Sequence, residues 1–565
     1  MLPTLLLSAA LGDTFHVDPE TGSMANSGSA SDPWSTLEDV FSTNPSFGAG
    51  DEILLYSGYH GAPTVRGNNS ANVFIRPAEG EEPLLKTLTV KSGSRWVIER
   101  LDICPEHESA GTTTGASLVE IESSASRITL NDCLIRSAFS TDEWTLSDWK
   151  TKPTRAIRTA GPYSMISNNR VIVANYPLTV RKTATFSVAT GNHFKGFSHD
   201  GILALADDCL FEYNTVTDAY ISDNAHNHDD FLQSWSTGGD SGYVVGEGTV
   251  SRVTVRGNTF ISQTDSNQPF PAKPQGVGCF DGYYEDWLVE NNVIVTGTYH
   301  GISLYGAINC KVVNNTVVEN LLDSADNDLR PWILIEDHKT RNDPATGNLV
   351  RNNISAQPVD VVPGSSIVDH NQTTTDYSAY FTNHEEFDFS LNPDSPAVDS
   401  GNSEAAPLID ILGVNRSEPY DIGAYSFQAA AGQTYAQWLE ENDLPADASG
   451  DGSPNASPAG DGVTNEMKFA LGLPVDSEGY EGRVTTAITP DDGQDYLTLT
   501  YIRPETPPVG VSYDVESGAN LASWESGVEV STSSANGLRT VVVRDSVPMG
   551  ASSPQRFIRL AVEGL

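Results

Sequence analysis

The groups with the greatest chemical potential in this sequence stand at the head of similar phrases: His199-Asp200-Gly201-Ile202, Asp229-Asp230-Phe231-Leu232-Gln233, Gln275-Gly276-Val277-Gly278 and His300-Gly301-Ile302-Ser303. On adjacent coils of a parallel solenoid, equivalent positions lie about 4.8 Å apart. Asp200, Asp229, Asp230 and His300 would then form one outward-facing column, with His199, His226 and His228 beside it. Stacked carboxylates repel, so such a column persists where a cation, a shared proton or a substrate compensates. A lone Asp or His on a solenoid exterior is ordinarily a solvated ladder member. Here four of the chain's 11 histidines, His193, His199, His226 and His228, crowd into one stretch, which points to acid–base catalysis. A register slip of one residue would exchange the faces and bring in Asp223, Asp281 or Glu336 instead.

Around this column the sequence offers cations on turns, namely Arg158, Arg181, Lys195, Lys273, Arg330 and Lys339, each of which alone reads as solvated surface charge. Gln233 follows the paired aspartates, and Trp235, Tyr283, Tyr284, Trp287, Tyr299, Tyr305 and Trp332 supply rings, some of them core, that can stack on sugars. The elements that must position these groups are announced by a recurring phrase, a short alternating apolar run closed by Asn. It recurs at Asn131, Asn168-Asn169, Gly191-Asn192, Tyr213-Asn214, Gly257-Asn258, Asn291-Asn292, Asn314-Asn315 and Asn352-Asn353. The spacings of 23 (169 to 192), 22 (192 to 214) and 23 (292 to 315) are those of a solenoid coil. Asn tolerates the left-handed turn between strands, and its amide can bond to the Asn stacked above. The strands alternate inward apolar and outward polar residues, as in Arg252-Val253-Thr254-Val255-Arg256.

The ends of this region resemble those of secreted bacterial right-handed parallel β-helix proteins, the pectate-lyase-like family of polysaccharide lyases and glycosidases. Phe15-His16-Val17-Asp18-Pro19, Asp32-Pro33-Trp34-Ser35-Thr36-Leu37 and Gly50-Asp51-Glu52-Ile53-Leu54-Leu55 look like their opening strand, capping helix and first coil. Ser395-Pro396-Ala397-Val398-Asp399-Ser400-Gly401 and Asp421-Ile422-Gly423-Ala424-Tyr425 look like their closing coils. The resemblance implies an all-β fold and a sugar polymer as substrate. Partial polygalacturonase-like phrases, Asp200-Gly201-Ile202, Asp229-Asp230, His300-Gly301-Ile302-Ser303 and His338-Lys339-Thr340, imply an inverting glycosidase; an extra coil from about Val253 to Asp281 and Ser198-His199 before Asp200 depart from that pattern. Elimination on a uronate therefore ranks first, hydrolysis second and non-catalytic polysaccharide binding third. Elimination needs a cation on the carboxylate and a base. The expectation is calcium on Asp200, Asp229 and Asp230, with His228 or Lys273 as base and His300 or Lys339 as acid.

Composition sets the frame. With 32 Lys plus Arg against 75 Asp plus Glu, a formal charge of -43 argues against nucleic acid or an anionic membrane as partner. No stretch approaches the roughly 18 apolar residues of a membrane span. The opening Leu2-Pro3-Thr4-Leu5-Leu6-Leu7 run through Gly12 reads as a secretory-signal remnant, which places the protein outside the cell or in the periplasm, as a monomer. Five cysteines without a C-x-x-C pair read as buried rung residues with room for one disulfide. The organisation expected is a signal remnant over 1–12, a right-handed parallel β-helix over 13–428, a helical and Asp-rich linker over 429–479, and a small C-terminal β-sandwich over 480–565. In the linker, Asp447, Asp451, Asp461 and Glu466 are candidate calcium ligands, although their spacing does not match the twelve-residue loop pattern.

Overall fold

The computed structural model describes residues 12–106, 117–221, 228–238, 244–323, 329–364, 366–427, 433–445, 448–480, 482–491, 494–520, 523–535, 537–549 and 556–563. The leader-like run before Gly12, together with Asp223, His226 and Asp447, lies outside them. The chain divides into two compact units, one ending at Phe427 and the other starting at Gln428.

The first unit is a right-handed parallel β-helix. Its first wall stacks Val119–Ile121, Ile157–Thr159, Leu178–Val180, Ile202–Ala204, Asp230–Trp235, Gln275–Asp281, His300–Tyr305, Trp332–Glu336 and Asp360–Val361, all paired in parallel. A second wall includes the strands from Thr129–Asn131 to Ile367–Asp369, and a third runs from Gly58–Tyr59 to Gln372–Thr373. One apolar side chain per strand points inward at each level, as with Ile202, Leu232, Val277, Ile302 and Ile333, all at 0% exposure. This continuous interior replaces the separate cores of a multidomain chain. The opening strand Thr14–Val17 pairs with Glu52–Leu55, and the helix Leu37–Ser42 begins at Thr36, whose hydroxyl accepts from the Asp39 amide.

The Asn phrases divide two tasks between adjacent residues. The left-handed turn falls on the first of each pair: Asn168, Gly191, Tyr213, Gly257, Asn291, Asn314 and Asn352 all have positive φ. The second is buried and bonds along the stack, Asn169 Nδ2 donating to Asn192 Oδ1, Asn192 to Asn214, Asn214 to Asn258, and onward through Asn292, Asn315 and Asn353 to Asn371. Each carboxamide also takes the next coil's ladder into account by accepting a backbone N–H, as Asn258 Oδ1 does from Asn214. The buried polar ladder is therefore satisfied, which is what its burial requires. All five cysteines are buried and unpaired, so the disulfide for which the sequence left room does not form.

The second unit opens with the helix Tyr435–Glu441, fixed by a capping box between Thr434 and Gln437, followed by Asn465–Ala470. Its strands form a four-stranded and a three-stranded antiparallel sheet, whose shared core of Leu499, Tyr501, Val515, Val541 and Val543 makes a small sandwich. Among the described residues no helix is long and apolar enough to cross a membrane.

Candidate functional site

The register stacks the four phrases as their spacing suggests. Ile202 pairs with Leu232, Leu232 with Val277, and Val277 with Ile302, so Asp200, Asp230, Gln275 and His300 head adjacent coils. The inserted coil stands between the paired aspartates and the His-Gly phrase. The column is not solvated, however. Asp200 is 3% exposed and Asp230 is 0% exposed. Their environment is protein, so the expectation of an outward-facing carboxylate column is corrected.

The glycines that follow explain this packing. A Cβ on Gly201 would meet the Phe231 carbonyl oxygen at 2.7 Å, and one on Gly276 or Gly301 would collide with the Gly301 carbonyl or Val317. Gly278 has a different role: a Cβ there would stand 2.0 Å from Asp230 Oδ1. The Asp230 carboxylate thus lies over Gly278 of the next coil, in space that any side chain would fill.

Asp230 holds an imidazole at the surface. His228 Nδ1 lies 3.3 Å from Asp230 Oδ2, and Gln233 Nε2 donates to the same oxygen at 3.0 Å. The Asp230 amide donates to Asp200 Oδ1 at 2.9 Å, which ties the two coils together. Asp230 Oδ1 is buried without a hydrogen-bond partner among the described residues. Burial raises the Asp230 carboxyl to about 6, outweighing the pull of His228, and burial with the neighbouring Asp230 charge pushes Asp200 well above the carboxylate range. His228 is half exposed and shifts upward, chiefly through its bond to Asp230. The pair thus joins a buried carboxyl to a half-exposed imidazole, an arrangement suited to taking and returning a proton.

His300 behaves in the opposite way. Trp332 Nε1, which can only donate, reaches His300 Nδ1 at 3.3 Å, and Ser303 Oγ lies 2.8 Å from the same nitrogen. Nδ1 must therefore accept, and the ring's proton sits on Nε2. Burial, with the His228 charge nearby, lowers His300 to about 4. As a neutral imidazole it offers an Nε2–H as a hydrogen-bond donor.

Phe280 joins the two histidines. Ser234 pairs with Cys279 and Trp235 with Asp281, leaving Phe280 as the extra residue of a β-bulge. Its ring meets His228 at 5.2 Å and His300 at 5.0 Å, edge to face in both cases, and Tyr305 at 5.4 Å. Nothing in the sequence marked Phe280, because the bulge is a mismatch between two strands and has no composition of its own. Lys339 bonds to Asp281 Oδ1 at 3.1 Å and acts on the His228 charge, so it belongs to this surface. Asp229 is half-buried in the same turn, its carbonyl accepting from the Gln275 amide, and Lys273 is exposed two residues before that strand.

The other nominated residues lie apart. Tyr283 donates to Asp343 and packs its ring at a tilt against His338. His338 is buried, its Nδ1 accepting backbone amides and its Nε2 bonding to the Gly246 carbonyl, so the His-Lys-Thr phrase owes its histidine to architecture. Arg330 faces Glu319 at 3.5 Å. Trp235 lines a separate cavity at the far end of its strand.

Calcium fits poorly here. It wants six to eight oxygen ligands, whereas Asp200 Oδ1 and Asp230 Oδ2 are engaged within the protein, and no group of three or more metal-binding side chains assembles among the described residues. In the second unit the cation beside Asp461 is the protein's own. Lys468, at 0% exposure, reaches Asp461 Oδ2 at 2.9 Å and donates to the Val475 and Ser477 carbonyls. Asp451 contributes its carbonyl to Asn465, and Glu466 its amide to Pro454.

No protein-family model matches the chain, and no curated protein matches it. Among solved structures it is similar to the pectate lyase Pel9A, at 11% identity and a TM-score of 0.42, over 74% of this chain and 97% of that one. A lacto-N-biosidase from Eubacterium ramulus gives 13% identity and 0.37, over 64% and 68%. The A-module of a mannuronan C-5 epimerase from Azotobacter vinelandii gives 12% and 0.30, over 60% and 94%. No activity follows from likeness of this extent.

Proposed function

We propose that this protein is a carbohydrate-active enzyme that cleaves a uronate-containing polysaccharide by β-elimination, with His228 as the proton-transfer group. The observation that carries the reading is the Asp230–His228 dyad at the surface, separated by Phe280 from a neutral His300 whose Nε2–H is free of Trp332 and Ser303. Removing the proton beside a carboxylate requires a base near neutral pH and positive potential on the developing oxyanion. His228 Nε2 serves as the base, oriented by Asp230. The His300 Nε2–H and the Lys339 ammonium supply the positive potential. The carbon–hydrogen pair becomes the ring double bond, the glycosidic oxygen leaves, and the imidazolium returns its proton to that oxygen.

Inverting hydrolysis is the weaker reading. It needs two carboxyl groups flanking a space open to water, whereas Asp200 and Asp230 are buried and engaged within the first wall. No step here is routed through calcium, because the donor set does not suit it.

The test incubates the protein and its His228→Ala variant with polymers of galacturonate, glucuronate, mannuronate and guluronate, following the absorbance of unsaturated uronate together with reducing ends. Absorbance from the parent, reduced on the order of 10²-fold or more in the variant, supports the reading. New reducing ends without absorbance reverse it in favour of hydrolysis, and silence with every polymer sinks it.

A further inference from the structure

The strand Asp230–Trp235 carries the dyad at its start and Trp235 at its end, about 17 Å away at roughly 3.3 Å per residue. There Trp235 lines a cavity with Arg181, Lys182, Leu205, Asp207 and Thr237. This cavity has no part in the proton transfer, yet its chemistry is specific. Arg181 is exposed, and its guanidinium has no hydrogen bond or ion pair among the described residues. Lys182 is held in place by Thr237, its Nζ donating to the carbonyl at 3.0 Å. Asp207, the one carboxylate of the lining, accepts the Ser251 amide at Oδ1. The half-buried indole of Trp235 offers an apolar face beside these charges.

In a chain with a formal charge of -43, two cations against the single Asp207 carboxylate leave this cavity with a net positive lining beside the indole, a local reversal of sign. Arg presents a planar fork that matches a carboxylate, and it gives up its hydration more readily than Lys. An indole stacks on the apolar face of a sugar ring. Both features together suit a sugar that bears a carboxylate, and neither a neutral sugar nor a free inorganic anion uses both.

We propose that Arg181, Lys182 and Trp235 form a second subsite that binds an acidic sugar unit of the polymer, distant from the bond being broken. As a subsite of the same substrate it rests on the lyase reading, but binding can be measured separately from cleavage. The experiment is calorimetric titration of galacturonate and glucuronate hexamers, and of a neutral glucose hexamer as control. The parent for comparison is the His228→Ala protein, so that no turnover intervenes; Arg181→Ala and Trp235→Phe are added to it in turn. An acidic hexamer should bind more tightly than the neutral one. Arg181→Ala should weaken it about ten-fold or more, as for loss of a charged hydrogen bond, and leave the neutral hexamer unchanged, while Trp235→Phe keeps a ring and most of the affinity. Binding that is indifferent to Arg181, or failure of every acidic hexamer to bind, overturns the subsite. If unsaturated product forms while Arg181→Ala binds like the parent, the subsite alone fails. If Arg181-dependent binding appears without any unsaturated product, the subsite stands and the lyase reading fails.

Discussion

Asp230 carries two burdens, a buried charge and an imidazole to orient, and both can be measured. Its bond and charge are what raise His228, so Asp230→Asn should lower the His228 pKa. A base acts only when unprotonated, so the rate should rise with pH through the raised His228 value. In Asp230→Asn this acid limb should move to lower pH while the maximal rate falls on the order of 10²–10⁴-fold, as kcat/KM against pH will show. The same change should help the fold. A carboxyl raised in the folded state binds its proton more tightly there than when unfolded, so its stability contribution falls as pH rises from about 3.8 through about 6. Asp230→Asn should therefore be as stable as the parent near pH 4 and more stable near pH 7, by up to about 3 kcal/mol, in denaturant titrations at both values. The sequence disclosed the residue types at this site but not their depth. Alternation predicts a face, whereas burial of Asp200 and Asp230 follows from what the adjoining coils lay over them.

At the scale of elements, much of the helix was legible because its repeats are chemical. A turn that needs a left-handed residue and a stack that needs a carboxamide leave a written trace, as in Gly191-Asn192 and Gly257-Asn258. The Asp-Gly-Ile and His-Gly-Ile phrases were equally visible, and their register holds, but their glycines answer to close approach between coils. That is a packing demand, which is why such phrases speak for fold more strongly than for reaction. The bulge at Phe280 and the clearance at Gly278 left no trace, since both exist only between strands. Gly278 has an ordinary backbone conformation, so space alone is at issue. Gly278→Ala should fold and yet displace the Asp230 carboxylate, lowering kcat about 10²-fold and returning the His228 pKa toward 6.5. Nuclear magnetic resonance titration of the imidazole reads the second effect; an unchanged His228 would mean that the carboxylate does not depend on that clearance.

At the scale of the whole molecule, the formal charge of -43 opposes a polyanionic substrate, while Lys339, Arg181 and Lys182 invite it locally. The two effects differ in range. Salt shortens the reach of the global field from about 30 Å at 0.01 M to about 8 Å at physiological strength and acts less on contacts at the site. The KM for a polyuronate should therefore fall as ionic strength rises across this interval. A steady rise in KM would instead indicate that local cations dominate encounter. The organisation of the molecule was partly open to the sequence as well: the change of texture after Gln428 coincides with the start of the second compact unit. The Lys468 ammonium beside Asp461 was not foreseeable, because a run of acidic residues does not say which cation will answer it. The central claim, elimination at a uronate, is tested most directly by the masses of the oligosaccharides released from a polyuronate. Elimination predicts that the fragments sum to the parent polymer with no water gained and that each new non-reducing end carries a double bond. Fragments heavier by one water for every bond cut would contradict it.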